Sequence, residues 1–330
     1  MSINTLFNFL IRCVAHLLTA VIRILVEIFA MNRSFVLMII LCPSLQASSQ
    51  APFFDTDSIV GQPSSPKLIA RQFAFTEGAS VDRKGNVFFT DQPNNKIWEY
   101  DTKGRLSVFL DSTGRSNGMY FDAKGRLVTC ADDRGQLWAI DPRKRIEVLL
   151  KDFQGHQFNG PNDLWIDARG DIFFTDPYYQ RPYWTRMHPD LERQNVYYLP
   201  AGGKEAIVVA DDLEQPNGIV GTPDGQFLYV ADIKANKTYK YSIGADGRLS
   251  GKTLFTAQGS DGMTLDAKGN VYLTGDGVTV YDTSGKKIAH IPVPEKWTAN
   301  LCFGGRDKTT LFITASEGLY ALPMREKGVE

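Results

Sequence analysis

From about residue 67 to the C-terminus the chain is written in short apolar strands separated by polar turns, and no stretch carries the period of a long amphipathic helix. The grammar is clearest after Glu77. Residues 79–81 form a short strand, Asp82-Arg-Lys-Gly85 turns, and residues 86–90, rich in Val and Phe, form a second strand. A turn over 91–95 leads to residues 96–100, whose apolar side chains alternate, and a turn over 101–104 leads to a fourth strand over 105–110. Turns of the Asx-Gly kind join antiparallel neighbours. The same order recurs at 136–140 with Asp141, and at 238–241 with the turn from Gly244 to Gly247.

One phrase therefore repeats six times: a small polar or acidic residue, usually Gly, an apolar strand, a turn and a second apolar strand. Its copies begin at Glu77, Asn117, Asn162, Asn217, Asp261 and, more weakly, Asn300. They are 40, 45, 55, 44 and 39 residues apart (117−77, 162−117, 217−162, 261−217, 300−261). A period of about 40–45 residues made of strands and Gly turns is the spacing of propeller blades. The pattern predicts an all-β, six-bladed β-propeller with four-stranded antiparallel blades around a central channel. Closure should pair a strand near 67–73 with strands at 311–314 and 318–322, which removes exposed sheet edges.

The six leading residues would then form a ring at one end of the channel. Glu77, Asn162, Asn217 and Asp261 offer two carboxylates and two amide carbonyls, hard oxygen donors suited to Ca²⁺, or less strictly Mg²⁺ or Mn²⁺. The competing reading is that Asn and Asp before Gly only open strands through Asx turns. That reading accounts for Asn300 and Asn117 but not for Glu77, since Glu is a poor turn residue. The long gap after Asn162 holds an aromatic loop over 177–189 that either shapes a pocket at the mouth or packs onto blade three.

Bulk properties narrow the choices further. The chain has 330 residues, 43% of them hydrophobic, enough for a sizeable core. With a net charge of −1 and scattered basic residues, nothing predicts binding to nucleic acid. The first 50 residues stand outside the repeat. A basic start at Met31, an apolar run over 35–42 and small residues around Ala47 have the form of a secretory signal. The expectation is an N-terminal extension and signal over 1–50, with Met31 as the physiological start and cleavage near Ala47. A single catalytic propeller over 51–330 would follow, exported to the periplasm or secreted, monomeric and without stable membrane association. Cys130 and Cys302 occupy different offsets in their repeats and read as small buried hydrophobes, not as a disulfide. No Cys/His spacing fits a thiolate zinc site.

The repeat phrases also carry a resemblance. Thr76-Glu-Gly78, the run from Asp91 to Trp98, the run from Phe158 to Leu164, Phe174-Thr-Asp-Pro-Tyr178, the run from Gln215 to Ile219, Ser260-Asp-Gly-Met263 and the run from Ala299 to Gly305 match, in order, the gluconolactonase / regucalcin (senescence marker protein) family. The chain is similar to its bacterial gluconolactonase branch over nearly all of the repeat region. The resemblance implies a divalent metal, usually Ca²⁺ with Mg²⁺, Mn²⁺ or Zn²⁺ as substitutes, held by Glu77, Asn162, Asn217 and Asp261. It implies hydrolysis of a sugar lactone, with Asp261 as candidate general base activating water and metal-bound water as the alternative. Asn159, Asn117, His156 and Arg115 are candidate substrate contacts. His156 has a pKa range suited to acid–base work, and family relatives often carry Lys or Arg near its position. Two other classes stay open: a phosphotriesterase-like hydrolase on the same ligands, and a non-catalytic binding propeller.

Overall fold

The computed structural model describes residues 56–329, together with Val21 and Arg23 ahead of them. The expected leader, from Met31 to Ala47, lies outside the described residues.

Six separate four-stranded antiparallel sheets follow one another along the chain. Five are simple meanders. Blade one holds Thr76–Val81, Val87–Asp91, Lys96–Tyr100 and Leu106–Asp111, paired in that order. Blades two to five occupy residues 116–150, 164–210, 216–256 and 263–291. Blade six takes three strands from the C-terminal end, Thr298–Gly304, Thr310–Ala315 and Gly318–Pro323, and its outermost strand, Lys67–Ala70, from the other end of the propeller. The clasp sets Lys67 opposite Ala321 and Leu68 opposite Tyr320, antiparallel as the pattern predicted.

Burial falls from axis to rim. The innermost strand Thr76–Val81 and its neighbour Val87–Asp91 are buried at every position, whereas the rim strand Leu249–Thr256 is mostly exposed or half-buried. Second strands such as Val-Phe-Phe-Thr-Asp and Ile-Phe-Phe-Thr-Asp are buried throughout and open on three consecutive apolar residues because a neighbouring blade covers each face. Between blades lie aromatic packings such as Phe88 on Phe121 and Tyr272 on Phe303, edge to face at 5.1 and 5.3 Å. Cys130 and Cys302 are both buried and not joined by a disulfide, and burial pushes the Cys130 thiol up.

Two side chains of the repeat fix the innermost strands. Thr90 on blade one donates through Oγ1 to the Asn117 carbonyl at 3.3 Å, and Thr175 on blade three does the same to the Asn217 carbonyl at 2.7 Å. Each Thr thus bolts its blade to the next one at the ring residue. The Asp that ends the second strand accepts two backbone N–H groups from the segment entering its own blade. Asp91 takes Ala74 and Phe75, Asp176 takes Asn159 and Gly160, and Asp232 takes Glu214 and Gln215. The Phe-Thr-Asp phrase is therefore a registration device.

The Gly that follows Glu77, Asn117, Asn217 and Asp261 answers the question left open by the Asx-turn reading. At Gly78, where φ is +50°, an added Cβ would collide with the carbonyl oxygen of Asn117 on the next blade. A Cβ at Gly118 would strike the Asp163 carboxylate and the Asn162 carbonyl. The glycines allow adjacent innermost strands to meet at the axis, and turn formation is not their task.

Candidate active site

The ring predicted from the repeat is assembled. Glu77, Asn117, Asn162, Asn217 and Asp261 all line one cavity of about 210 Å³ at the mouth of the channel. Asn300, the sixth position, is buried and has turned its carbonyl oxygen Oδ1 to its own neighbour, the N–H of Leu301, at 2.7 Å.

Their electrostatics are those of crowded acids. Burial pushes the Glu77 carboxyl well above its ordinary range, and the charge of Asp261 adds to that. Asp261 is pushed up to about 6, first by burial. Hydrogen bonds from Trp297 and Asn217 and the nearby Arg181 guanidinium partly offset this. The Trp297 indole Nε1 donates to Asp261 Oδ2 at 2.6 Å. Asp163, standing where four other blades have Gly, puts a third carboxyl beside the first two. Burial raises it well above the usual range, against the N–H of Leu164 at 2.9 Å and the Asn300 side chain.

The site has unspent acceptors. Asn217 donates through Nδ2 to the Tyr179 hydroxyl at 2.9 Å, while its Oδ1, and that of Asn117, is buried with no partner. Buried acceptors are rarely left so. Two orphaned amide oxygens beside two carboxylates raised by burial fit a hard divalent cation. Among the described residues no cluster of three or more His, Cys, Asp or Glu forms a metal-holding group. A ring of two carboxylates completed by amides is of a different composition.

The aromatic loop shapes the mouth, and its ties reach past blade three. It crosses from blade three to blade two, where Trp184 Nε1 donates to the Asp132 carbonyl at 3.2 Å, and its Tyr179 and Arg181 line the cavity. Arg181 was not legible in the sequence. Its Nε donates to Asp132 Oδ2 at 3.2 Å, an oxygen also bound by the Tyr183 hydroxyl. The one available signal was a break in the repeat: opposite Ser116 stands Ala131, where Asp91 stands opposite Thr76, and the carboxylate comes one residue later as Asp132. Burial raises Asp132, and Arg181 and Tyr183 counter it. Trp297 and Gln92 complete the wall without a sequence signal.

Three sequence candidates sit elsewhere. Arg115 lines an adjoining outer cavity of about 550 Å³ that shares Phe75, Gln92 and Arg181 with the inner one. Its guanidinium donates to the Pro93 carbonyl at 2.6 Å and lies 4.1 Å from the centre of the Tyr183 ring. Asn159 is fully buried behind the wall, where Nδ2 donates to the Arg193 carbonyl at 2.9 Å. His156 is largely exposed, with Nδ1 3.4 Å from Asp190 Oδ2, and does not line the cavity.

Known proteins place this arrangement. Gluconolactonase from Zymomonas mobilis is 27% identical over 297 residues, covering 80% of this chain and 82% of that protein. Lactonase drp35 from Staphylococcus haemolyticus is 26% identical over 66% of this chain and 69% of its own length. The structure of a gluconolactonase from Xanthomonas campestris aligns with a TM-score of 0.73 at 30% identity, over 78% of this chain and 88% of that one. A calcium-binding regucalcin from Agrobacterium tumefaciens shares the fold, with a TM-score of 0.68 at 22% identity over 80% of this chain and 95% of that one. The family profile described as SMP-30/Gluconolactonase/LRE-like region matches residues 75–317, so the chain belongs to that family.

Proposed function

We propose that this protein, a lactone-cleaving ester hydrolase by its family, opens a sugar δ-lactone to the aldonic acid at the channel mouth. The observation that carries the reading is the meeting of Glu77 and Asp261 with orphaned amide oxygens in one cavity. A divalent cation held by Glu77, Asn162, Asn217 and Asp261, Ca²⁺ by preference, would polarise the lactone carbonyl and offset charge on its oxygen. The remaining work belongs to the chain. In the chain alone burial raises Asp261 to about 6, which makes it basic enough to take a proton from the attacking water. Water adds to the carbonyl carbon, the ring C–O bond breaks, and the proton carried by Asp261 passes to the departing ring oxygen. Trp297 holds the Asp261 carboxylate in position through its indole N–H. Arg181, fixed by Asp132, and the amide of Asn117 offer donors to the sugar's hydroxyl groups. Export rests on the leader-like stretch from Met31 to Ala47.

The test is acid release from glucono-δ-lactone, with the spontaneous rate subtracted, after chelation by EDTA and again with Ca²⁺ restored. Turnover that disappears and returns is the expected result. Equal turnover with and without chelator would remove the cation from the reading. Absence of lactone turnover beside turnover of an organophosphate triester would replace it with phosphotriesterase chemistry.

A further inference from the structure

The catalytic cavity is not isolated. It shares Ile233 and Trp297 with a second cavity of about 350 Å³ over blades four and five, whose wall includes Gln258, Asp276, Lys287 and His290. Trp297 is the partition between them. Its Nε1 is tied to Asp261, which fixes the indole, and 37% of its surface is exposed. In the aromatic loop two ring faces are already taken: Arg186 lies 3.9 Å from the centre of the Trp184 ring, as Arg115 lies 4.1 Å from that of Tyr183. Trp297 has no such partner among the described residues. The polar groups opposite it are oriented. Tyr281 donates to Gln258 Oε1 at 2.7 Å, which turns the Gln258 amide nitrogen away from Tyr281 as a donor. His290 meets Thr279 through Nδ1 at 3.3 Å, which leaves Nε2 for another partner.

An exposed, immobilised indole facing fixed polar groups suits a pyranose, whose C–H face packs on the ring while its hydroxyls take the donors and acceptors. The inner cavity alone falls below the roughly 300–1,000 Å³ usual for ligand pockets, and the pair together falls within it. We propose that the second cavity is a sugar subsite and that the substrate is a glycosylated aldonolactone. The lactone ring sits over Asp261 and the second sugar against Trp297 and Gln258. The inference rests on the lactonase reading above.

The experiment compares kcat/KM for cellobiono-δ-lactone and glucono-δ-lactone in the wild-type protein, in Gln258→Ala and in Asp276→Trp. Asp276 is exposed on the subsite's rim, so Trp there narrows the subsite without touching Asp261. The wild type should favour the disaccharide lactone by about tenfold or more, and each variant should lose about tenfold on it, mainly in KM, with glucono-δ-lactone unaffected. Equal efficiency on the two lactones, or equal losses on both in the variants, would overturn the subsite. Should neither lactone react, the lactonase reading falls and tryptophan fluorescence with cellobionate decides the subsite separately. Saturable quenching that Gln258→Ala weakens about tenfold would keep it, and no quenching would overturn it.

Discussion

The two ends of an innermost strand use the same residue types to opposite effect. At the far end, Asp82, Asp122, Asp167 and Asp266 each accept backbone N–H groups two and four residues ahead, at 2.8 to 2.9 Å. Their second oxygens are also spent, on Asn86, Arg126, Arg169 and Asn270 respectively. At the mouth, Glu77 takes a single N–H from Gly78 at 3.1 Å, and Asn117 and Asn217 keep an oxygen with no partner. Carboxylates and amides at the far end hold the chain together. Those at the mouth are held in place by the chain and remain free for something that is not the chain. An acceptor's unspent capacity separates a site from a turn.

Substitution should affect activity at one end and stability at the other. Asp261→Asn is expected to cut kcat by about 10²–10⁴-fold while leaving the unfolding temperature unchanged or higher, since a neutral amide removes a buried charge that also raises Glu77. Steady-state rates and calorimetry on the same preparation check both halves. Glu77→Gln removes one of two charges and should weaken Ca²⁺ by about 100-fold in a direct titration. The cation's effect should also depend on pH. Asp261 is raised in the folded chain from an ordinary value of about 3.9, so this pair favours folding at low pH and that contribution is lost as pH rises through about 6. Calcium needs the carboxylates ionised, so its rise in unfolding temperature should be full at pH 7.5 and small at pH 5.

At the axis between the ends, Gly118→Ala should cost about 3 kcal/mol or more, because the Asp163 carboxylate and Asn162 backbone stand where the methyl would go. Chemical denaturation reads this directly. Asp122→Ala, at the far end, should cost only about 1–2 kcal/mol for its lost turn bonds and leave kcat/KM unchanged. A loss of activity there without a loss of stability would break the division between the two ends.

The same division explains what was legible in the sequence. Glu77, Asn162, Asn217 and Asp261 could be read because each stands at a fixed offset in a repeat, and rotation about an axis turns a period into a ring. Arg181 and Tyr179 could not, because their place depends on a loop that leaves blade three and ties to Asp132 on blade two. No period encodes that crossing. Trp297 precedes its strand, Thr298–Gly304, and reaches back to Asp261 on the preceding blade. His156 and Asn159 show the reverse. They are near Asn162 in sequence, but the entry to blade three carries His156 out to Asp190 and Asn159 behind the wall. Closeness along the chain does not carry over to the axis.

Blade six is sewn from both ends of the propeller, and Lys67 must wait for Ala321 before it has a partner. Synthesis supplies that partner only after blades one to five. Until then the emerging chain can stack blades but has no ring, and every strand on the open flank faces water. The seam that locks the propeller therefore cannot close before the sixth blade has been made.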